Sequence, residues 1–257
     1  MRLLIVPSPS DYILLVRYRA EDFPVFEKIF EEPGEDSALR PFAQDADAAG
    51  TAVVIENRAE KEVTALRYRW IFVDAQGNNR KRTASSDSYT VDVYRPVLSS
   101  GSRLLVTQTG SVQESVLNHA LAGGGTIGAG STSSVDCQAA EVSFQIDFIM
   151  FEDGEIAGSD LDGYGSELQL RKRAAAHVAQ QIRSANAENR DAALVLAALQ
   201  NVPRRPDDHL ARLVADYART YLRRSTMKMG FDMKETTLRH LENRPELPKF
   251  YRRPPTE

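Results

Sequence analysis

Cysteine is almost missing from this chain of 257 residues, in which Cys137 stands alone. An intramolecular disulfide is therefore excluded, and packing has to hold the fold together. A single cysteine just before an alternating strand is more often a small core residue than a nucleophile. We interpret Cys137 as structural, with a cysteine–histidine pair in space as the alternative.

Long apolar runs are also missing, and none approaches the roughly 18–20 residues that cross a membrane. Near the start, Pro7, Pro9 and Asp11 interrupt the short apolar run that follows Arg2. A secretory signal needs roughly 7–15 uninterrupted apolar residues and a small-residue cleavage site. We therefore predict a cytoplasmic protein without a membrane span, and a leader removed earlier stays an open alternative.

Motifs for metal ions and nucleotides are equally scarce. The four histidines are scattered singly, without the H-x-x-x-H or C-x-x-C pairs of metal sites. No Gly-Lys-Ser/Thr is present, which excludes a P-loop. The run GGGTIG at 123–128 fits G-x-G-x-x-G, but a nucleotide site needs a strand before the glycines and a helix after them. Here a short helix is predicted before them, over 112–121, so we favour a flexible loop and predict no cofactor.

Acidic residues are frequent between positions 152 and 167. An EF-hand loop needs oxygen ligands at alternating positions, glycine at the sixth and glutamate at the twelfth. With Gly163 at the sixth position, Gly158 falls at the first and Gln169 at the twelfth, so both end ligands are missing. We favour a hairpin turn at Asp153-Gly154 followed by a solvated loop, with a loose Ca²⁺ site as the alternative.

The stretch 51–79 is predicted to be a β-hairpin with a long second strand that ends at a Gly77-Asn78 turn. In that strand Leu66, Tyr68, Trp70 and Phe72 share one face, because strand side chains alternate with a period of two. Arg67 and Arg69 face the other way, as expected for a half-buried antiparallel strand. The sole tryptophan is therefore predicted to fill the space between two sheets.

Further short strands are predicted on both sides of this stretch. Runs at 3–6 and 12–18 give two strands joined by a turn, a short helix over 22–30 docks on the sandwich, and 33–49 is a linker. The strands that follow are predicted around Tyr89–Val93, Leu104–Val106 and Val142–Phe151. This spacing favours an antiparallel immunoglobulin-like β-sandwich.

The remainder of the chain is helical in pattern. Ser166 is predicted to cap the first helix, with Gln169 completing a capping box. Helices are predicted over about 167–185, 189–199, from 206 onward and over 234–242. The fold class is thus α+β, with residues 1–50 packing on a sandwich of residues 51–163 and a bundle of three to four helices at 164–257.

The hairpin resembles the opening of bacterial immunoglobulin-like domains of the FxLYD kind. Asn57, Lys61, Phe72, Asp74 and Gly77 match its pattern of a turn asparagine, a lysine and an apolar strand ending in aspartate and glycine. The Leu-Tyr pair that precedes the aspartate in that family is absent. The resemblance implies an accessory or binding module and supplies no catalytic residues.

Charge divides unevenly along the chain. Residues 1–163 hold 14 Lys and Arg against 25 Asp and Glu, whereas residues 164–257 hold 18 against 11. Several cations without intervening carboxylates suit a phosphate-binding surface, but Asp207, Asp208 and Asp216 dilute this set. We favour a solvated helix face with salt bridges. The candidate basic surface comprises Arg204, Arg205, Arg212, Arg219, Arg223, Arg224 and Lys228.

Three functional hypotheses remain. We favour a non-enzymatic module that binds another protein through sandwich loops or edges and the basic helical tail. The alternative is a small-ligand-binding protein or enzyme with a cleft between sandwich and helices, where Arg67, Arg69 and Asp147 form a polar site. Polyanion binding by the tail is the third hypothesis. No catalytic or metal-binding residue is predicted, and the oligomeric state stays open.

Overall fold

The computed structural model describes residues 2–27, 48–89, 96–108, 110–114, 139–201, 208–226, 233–242 and 246–253. The chain divides into two compact units. The first unit comprises Met1–Ser86, Pro96–Ser159 and Lys249–Glu257, and the second comprises Asp87–Arg95 and Asp160–Pro248. The chain therefore leaves the first unit for the helices and returns to it for its last residues.

The described strands of the first unit form two sheets. The larger has the strand order β10-β9-β8-β4-β5, with β1 also paired to β8, and the smaller has the order β2-β3-β6-β7. The larger sheet contains β1 (Arg2–Ile5), β4 (Val63–Asp74), β5 (Asn79–Asp87), β8 (Ala139–Phe151), β9 (Glu155–Ala157) and β10 (Tyr251–Arg252). The smaller contains β2 (Ile13–Arg17), β3 (Val53–Asn57), β6 (Arg103–Val106) and β7 (Ser111–Gln113).

One apolar core joins the two sheets. Ile55 and Leu104 of the smaller sheet belong to the same buried cluster as Leu66, Trp70 and Phe144 of the larger one. Trp70 is 1% exposed, and its ring centroid lies 4.7 Å from that of Phe144. The prediction that the sole tryptophan lies inside a sandwich-like core is therefore confirmed, and its area makes it a large contributor to burial.

The other face of the smaller sheet is also covered. Val54 and Leu105 pack there with Phe23 and Phe26, next to the 3-10 helix Pro24–Phe26. Because Val53 and Ile55 face the inter-sheet core, β3 is buried on both faces. The predicted docking of the short helix is confirmed for the described part, and residues 28–30 lie outside it.

The predicted hairpin over 51–79 is wrong. Strand β3 pairs with β2 and β6, whereas β4 pairs with β8 and neighbours β5, so the two strands lie in different sheets. The buried Asn57 side chain holds the crossing between the sheets. Its amide donates to the carbonyls of Lys61, at 2.9 Å, and of Leu98 and Ser99, both at 3.2 Å.

The Gly77-Asn78 turn does form, between β4 and β5. Gly77 has a positive φ of 84°, which favours glycine. The Asp74 carboxylate accepts hydrogen bonds from the backbone N–H groups of Gln76, at 2.9 Å, and Asn78, at 2.8 Å. The Asn78 side chain also donates to this carboxylate and is the largest cause of the lowered pKa of Asp74, to which the two backbone bonds add.

An all-antiparallel sandwich is also a wrong prediction, because β1 pairs with β8 in parallel and β10 pairs with β9 in parallel. In both parallel pairs the two strands are far apart in sequence, so no hairpin connection constrains their direction. The structure supports a mixed α+β fold with sandwich-like sheets, and the immunoglobulin topology stays a prediction.

Among the described residues of the second unit there are four helices, in line with the predicted three to four: α1 (Tyr164–Ala187), α2 (Ala192–Gln200), α3 (His209–Ser225) and α4 (Met233–Glu242). Ala175, Ile182, Leu196, Ala218 and Leu238 are among the buried residues that form their common core. Asp191 caps α2 through Ala193 N at 2.8 Å, and Asp208 caps α3 through Ala211 N at 2.9 Å.

The predicted capping box at Ser166 is wrong, because α1 starts two residues earlier at Tyr164. Gly163, with φ 67°, turns the chain, and the Asp160 carboxylate accepts from Tyr164 N at 2.5 Å and Gly165 N at 3.2 Å. An aspartate outside the helix thus supplies the acceptor expected from the serine.

Several predicted features lie wholly or partly outside the described residues. Val112, predicted to be helical, lies in β7, while 115–121 fall outside the described ranges. The features outside those ranges also include 28–47, Val91, Val93, the glycine-rich run 123–128 and Cys137.

Candidate functional site

The structure brings together two of the three residues predicted to form a polar site. The Nη2 atom of Arg69 on β4 lies 2.5 Å from Oδ1 of Asp147 on β8. The Arg69 side chain is 6% exposed and that of Asp147 is 0% exposed, whereas Arg67 is only half-buried. The expectation of a half-buried strand face is therefore wrong at Arg69, which lies inside the protein.

A β-bulge places Asp147 in this pair. In the β4–β8 ladder Arg67 is opposite Phe148 and Tyr68 is opposite Ile146, so the register passes over Asp147. A bulge adds one residue to one strand and redirects its side chain. Simple alternation along β8 does not reveal this extra residue.

Gly158 lies against the bulge. It has a φ of +100°, and a Cβ atom built on it would lie 2.3 Å from the backbone oxygen of Asp147. Only glycine fits this approach without a shift of the backbone. The next residue, Ser159, donates its hydroxyl to Asp147 Oδ1 at 3.2 Å. Arg69 and Ser159 thus both engage the buried carboxylate, which suits a structural role.

A second charged cluster surrounds Lys61, in the crossing between β3 and β4. Lys61 Nζ donates to Asp153 Oδ2 at 2.9 Å and to Glu155 Oε2 at 2.5 Å. It also lies 4.8 Å from the ring centroid of Phe151 and 5.7 Å from that of Tyr12, within cation–π range. Burial lowers the pKa of Lys61, but hydrogen bonds to the two carboxylates outweigh it, so the pKa is raised.

The end of the chain lies on this cluster. Tyr251 N donates to Gly154 O at 3.1 Å, and the Tyr251 hydroxyl donates to Asp153 Oδ2 at 2.8 Å. Arg252 donates to Gly158 O at 2.6 Å. Arg253 donates to the Tyr12 hydroxyl and stacks 5.3 Å from the Tyr12 ring centroid.

These C-terminal contacts were missed from the sequence. The signal that would have found them is an aromatic-basic run, FYRR at 250–253, flanked by Pro248 and Pro254. A residue that precedes proline favours extended backbone, and an extended segment is able to pair with the edge strand of a sheet.

The second unit has its own charged cluster. Asp87 Oδ2 accepts from the Tyr164 hydroxyl at 3.2 Å and from Arg171 Nη1 at 3.4 Å. Arg171 also pairs with Glu167 at 2.7 Å. Burial lowers the pKa of Arg171, but the charges of Glu167 and its other neighbours raise it above the ordinary value. Arg171 therefore bridges the buried Asp87 and the partly exposed Glu167.

The acidic residues at 152–167 are used in separate places. Asp153 and Glu155 bind Lys61, Asp160 caps α1 and Glu167 pairs with Arg171. In the described part of the chain, no group of three or more His, Cys, Asp or Glu side chains is arranged to hold a metal ion. The predicted Asp153-Gly154 turn is confirmed, because β8 and β9 pair as a hairpin with Met150 opposite Ile156.

The basic surface predicted on the helices is partly described. Arg212, Arg219 and Arg223 are exposed and follow helical spacing along one face of α3. Asp216 lies on the same face and pairs with Arg219 at 2.9 Å. Arg224 is half-buried. Arg204, Arg205 and Lys228 lie outside the described residues.

Helix α2 exposes one large apolar side chain, that of Leu194. Its sequence, AALVLAALQ, is apolar at every position except Gln200, yet Leu196 is its only buried residue. Leu194 is 71% exposed. A helix that is apolar all round is normally buried, and on α2 the exposed Ala193, Leu194 and Ala198 lack a cover within the described residues.

None of the helices within the described ranges has both the length and the apolar content that crossing a bilayer requires. Comparison of the chain with protein-family models, with curated proteins and with solved structures finds no significant match. The resemblance to FxLYD-type domains therefore stays a prediction from the sequence.

Proposed function

We propose that this protein is a non-enzymatic interaction module of the cytoplasm that binds another protein. The contacts come from loops and edges of the sandwich and from the helical tail. The observation that carries the proposal is the exposed apolar surface of α2 around Leu194. A bound partner protein removes this apolar surface from water, which is favourable.

The state of the charged residues supports the same proposal. An active site needs polar groups that are directed at a substrate and held ready for it. Asp147 is instead engaged by Arg69 and Ser159, and Lys61 by Asp153 and Glu155. A ligand that used Arg69 or Asp147 would have to break a buried ion pair, which costs several kcal/mol, on the order of 3–5.

For the helical tail, apolar contact with a protein partner is a stronger candidate binding mode than attraction of a polyanion. Covering a leucine side chain completely contributes roughly 1.5–3 kcal/mol, and Leu194 is exposed enough to gain most of that on binding. Ala193 and Ala198 are exposed beside it, and their small side chains allow another helix to approach closely. By contrast, Asp216 interrupts the arginines of α3 and weakens their attraction for a polyanion.

The sheet edges differ in what they offer to a partner. Strand β5 begins Asn79-Arg80-Lys81-Arg82, and charged edge strands discourage unspecific strand pairing. Strand β2 carries Leu14, Leu15 and Val16, all half-buried, and pairs on one side with β3. Its second edge has no strand partner among the described residues. We therefore favour β2 over β5 as an edge for a partner.

Site-specific photo-crosslinking in the native host tests this proposal. A photoreactive phenylalanine derivative replaces Leu194 in one variant and the exposed Gln180 of α1 in a second. We expect a discrete protein adduct at position 194 that is absent or at least about tenfold weaker at position 180. Equal labelling at both positions, or no adduct at 194 from folded protein, would contradict it.

A further inference from the structure

The outer edge of β9 is occupied by the protein's own C-terminal segment. Strand β9 pairs with β8 on one side and with β10 on the other. The β10 pairing is parallel and two residues long, with Tyr251 opposite Glu155 and Arg252 opposite Ile156. Both residues of β10 are exposed, so the segment lies on the surface of the first unit.

We propose that this edge is a binding site for an extended segment of a partner protein in which an aromatic residue with a hydroxyl group precedes two arginines. The protein's own Tyr251-Arg252-Arg253 occupies the site in cis and competes with that partner. The inference rests on the proposed function and names the partner's chemistry at one of its edges.

The contacts of the C-terminal segment define what the site recognises. The first element is Gly154 O, which accepts a backbone N–H, so the ligand has to be extended. The second is the Asp153 carboxylate, which accepts the phenol hydroxyl of Tyr251 at 2.8 Å. The third is Gly158 O, which accepts the guanidinium of Arg252 at 2.6 Å. Each element selects one feature of the ligand.

The fourth element is the Tyr12 side chain. It accepts a hydrogen bond from Arg253, and the Arg253 guanidinium stacks 5.3 Å from its ring centroid. Arginine is the cation that stacks best on aromatic rings, so we expect the site to prefer arginine over lysine at this position. The acidic excess of residues 1–163 also favours a basic ligand over an acidic one.

The same geometry explains why a partner is able to displace the segment. The pairing is only two residues long, and the anchoring side chains of Tyr251, Arg252 and Arg253 are all exposed. Such contacts open more readily than a buried strand. A cis segment acts as an internal competitor, because the apparent affinity of a partner equals its affinity for the open edge multiplied by the fraction of molecules in which the edge is open.

Peptide binding to the full chain tests the site. The probe is a fluorescent peptide, ELPKFYRR, with the sequence of residues 246–253. The opened variant carries Tyr251→Ala, Arg252→Ala and Arg253→Ala, and thermal unfolding establishes that it folds. We expect the opened variant to bind the probe at least about tenfold more tightly than the native protein, because the competitor is gone. A scrambled peptide of the same composition should not bind.

Two further variants in the opened background locate the bound peptide. Asp153→Asn should weaken binding about tenfold, because it removes the charged acceptor for the tyrosine hydroxyl. Glu60→Gln is the matched control, since Glu60 is an exposed carboxylate of the same unit, and it should leave the affinity unchanged. Where the triple change unfolds the protein, Tyr251→Phe alone removes the hydroxyl donor and should raise probe binding to a smaller extent.

Three results would overturn the inference. The first is a folded opened variant that binds neither peptide or binds both equally. The second is an equal effect of Asp153→Asn and Glu60→Gln. The third is a dimer of the native protein that the probe dissociates, which would assign the edge to a second copy. If the peptide does not bind but position 194 still gives the crosslinked adduct, this inference is wrong and the proposed helical contact stands. If the peptide binds but position 194 gives no adduct, the helical contact is wrong and the edge site stands.

Discussion

Arg69 on β4 and Asp147 on β8 form a buried ion pair, with 2.5 Å between Nη2 and Oδ1. Removing one partner of a buried pair leaves a charge without compensation, which costs roughly 3–5 kcal/mol. We expect Asp147→Ala to lower the free energy of unfolding by that amount in urea denaturation. The double variant Arg69→Met/Asp147→Leu should recover most of the loss, because apolar residues carry no such charge.

A surface pair supplies the control for this comparison. Arg190 and Glu188 lie 2.7 Å apart, and both side chains are more than half exposed. Water and salt screen such pairs, so Arg190→Gln should change the free energy of unfolding by less than about 1 kcal/mol. Equal losses for Asp147→Ala and Arg190→Gln would contradict the structural role assigned to the buried pair.

Glycine at position 158 is a separate requirement of the same bulge. Gly158→Ala adds a Cβ atom 2.3 Å from Asp147 O at a φ of +100°. We therefore expect this variant to lower the free energy of unfolding by more than about 3 kcal/mol. Gly77→Ala is the matched control, because its φ is +84° but nothing lies within 4 Å of its Cβ. Gly77→Ala should lower the free energy of unfolding by only about 1 kcal/mol, through backbone strain. Chemical denaturation of both variants measures the difference, and equal losses would show that close approach to Asp147 is unimportant.

Acid should release the C-terminal segment. Burial raises the pKa of Asp153, but the Glu155 backbone N–H, Lys61 and Tyr251 outweigh it and hold the pKa below its ordinary 3.8. A carboxylate with a lowered pKa contributes stability above its ordinary pKa and loses it as the pH falls through the lowered value. We therefore expect the Tyr251 amide resonance to move toward its unstructured position below about pH 3.8 in NMR spectra.

The Asp153→Asn variant checks the origin of this change. It cannot titrate at position 153, so its Tyr251 resonance should be shifted already at neutral pH and respond less to acid. An acid response identical to that of the native protein would assign the release to another group.

Binding to nucleic acid is expected to be weak and sensitive to salt. Exposed Arg212, Arg219 and Arg223 share the α3 face with Asp216, so few phosphates are neutralised at once. We expect no complex with duplex DNA at 150 mM salt, a typical physiological ionic strength, in fluorescence anisotropy. A submicromolar complex at that salt, lost when the three arginines become glutamine, would restore the polyanion hypothesis.

Alternation and helical spacing predicted the elements of this fold well. Trp70 is buried where its period of two placed it, and all four predicted helices of the second unit form. Strand pairing was not predictable in the same way. A period of two assigns residues to faces but does not select the neighbouring strand, so β3 and β4 were wrongly joined.

The sites were harder to predict than the elements. The bulge at Asp147 reverses the faces of the β8 residues that follow it, so Ile149 rather than Phe148 joins the inter-sheet core. No periodicity in the sequence indicates the close approach of Gly158 to the backbone oxygen of Asp147. The two-residue strand at Tyr251–Arg252 is too short for any periodicity. Proline on both sides of FYRR was the only local signal of its extended backbone.

Quantitative capture from the native host tests the central claim most directly, namely that exposed apolar surface on α2 binds another protein. Three baits are compared: the native protein, Leu194→Glu and the control Ala176→Glu, which changes an exposed alanine of α1 in the same way. The account predicts one protein retained by the native bait and by Ala176→Glu but reduced at least about tenfold by Leu194→Glu. Equal retention by all three folded baits would contradict it.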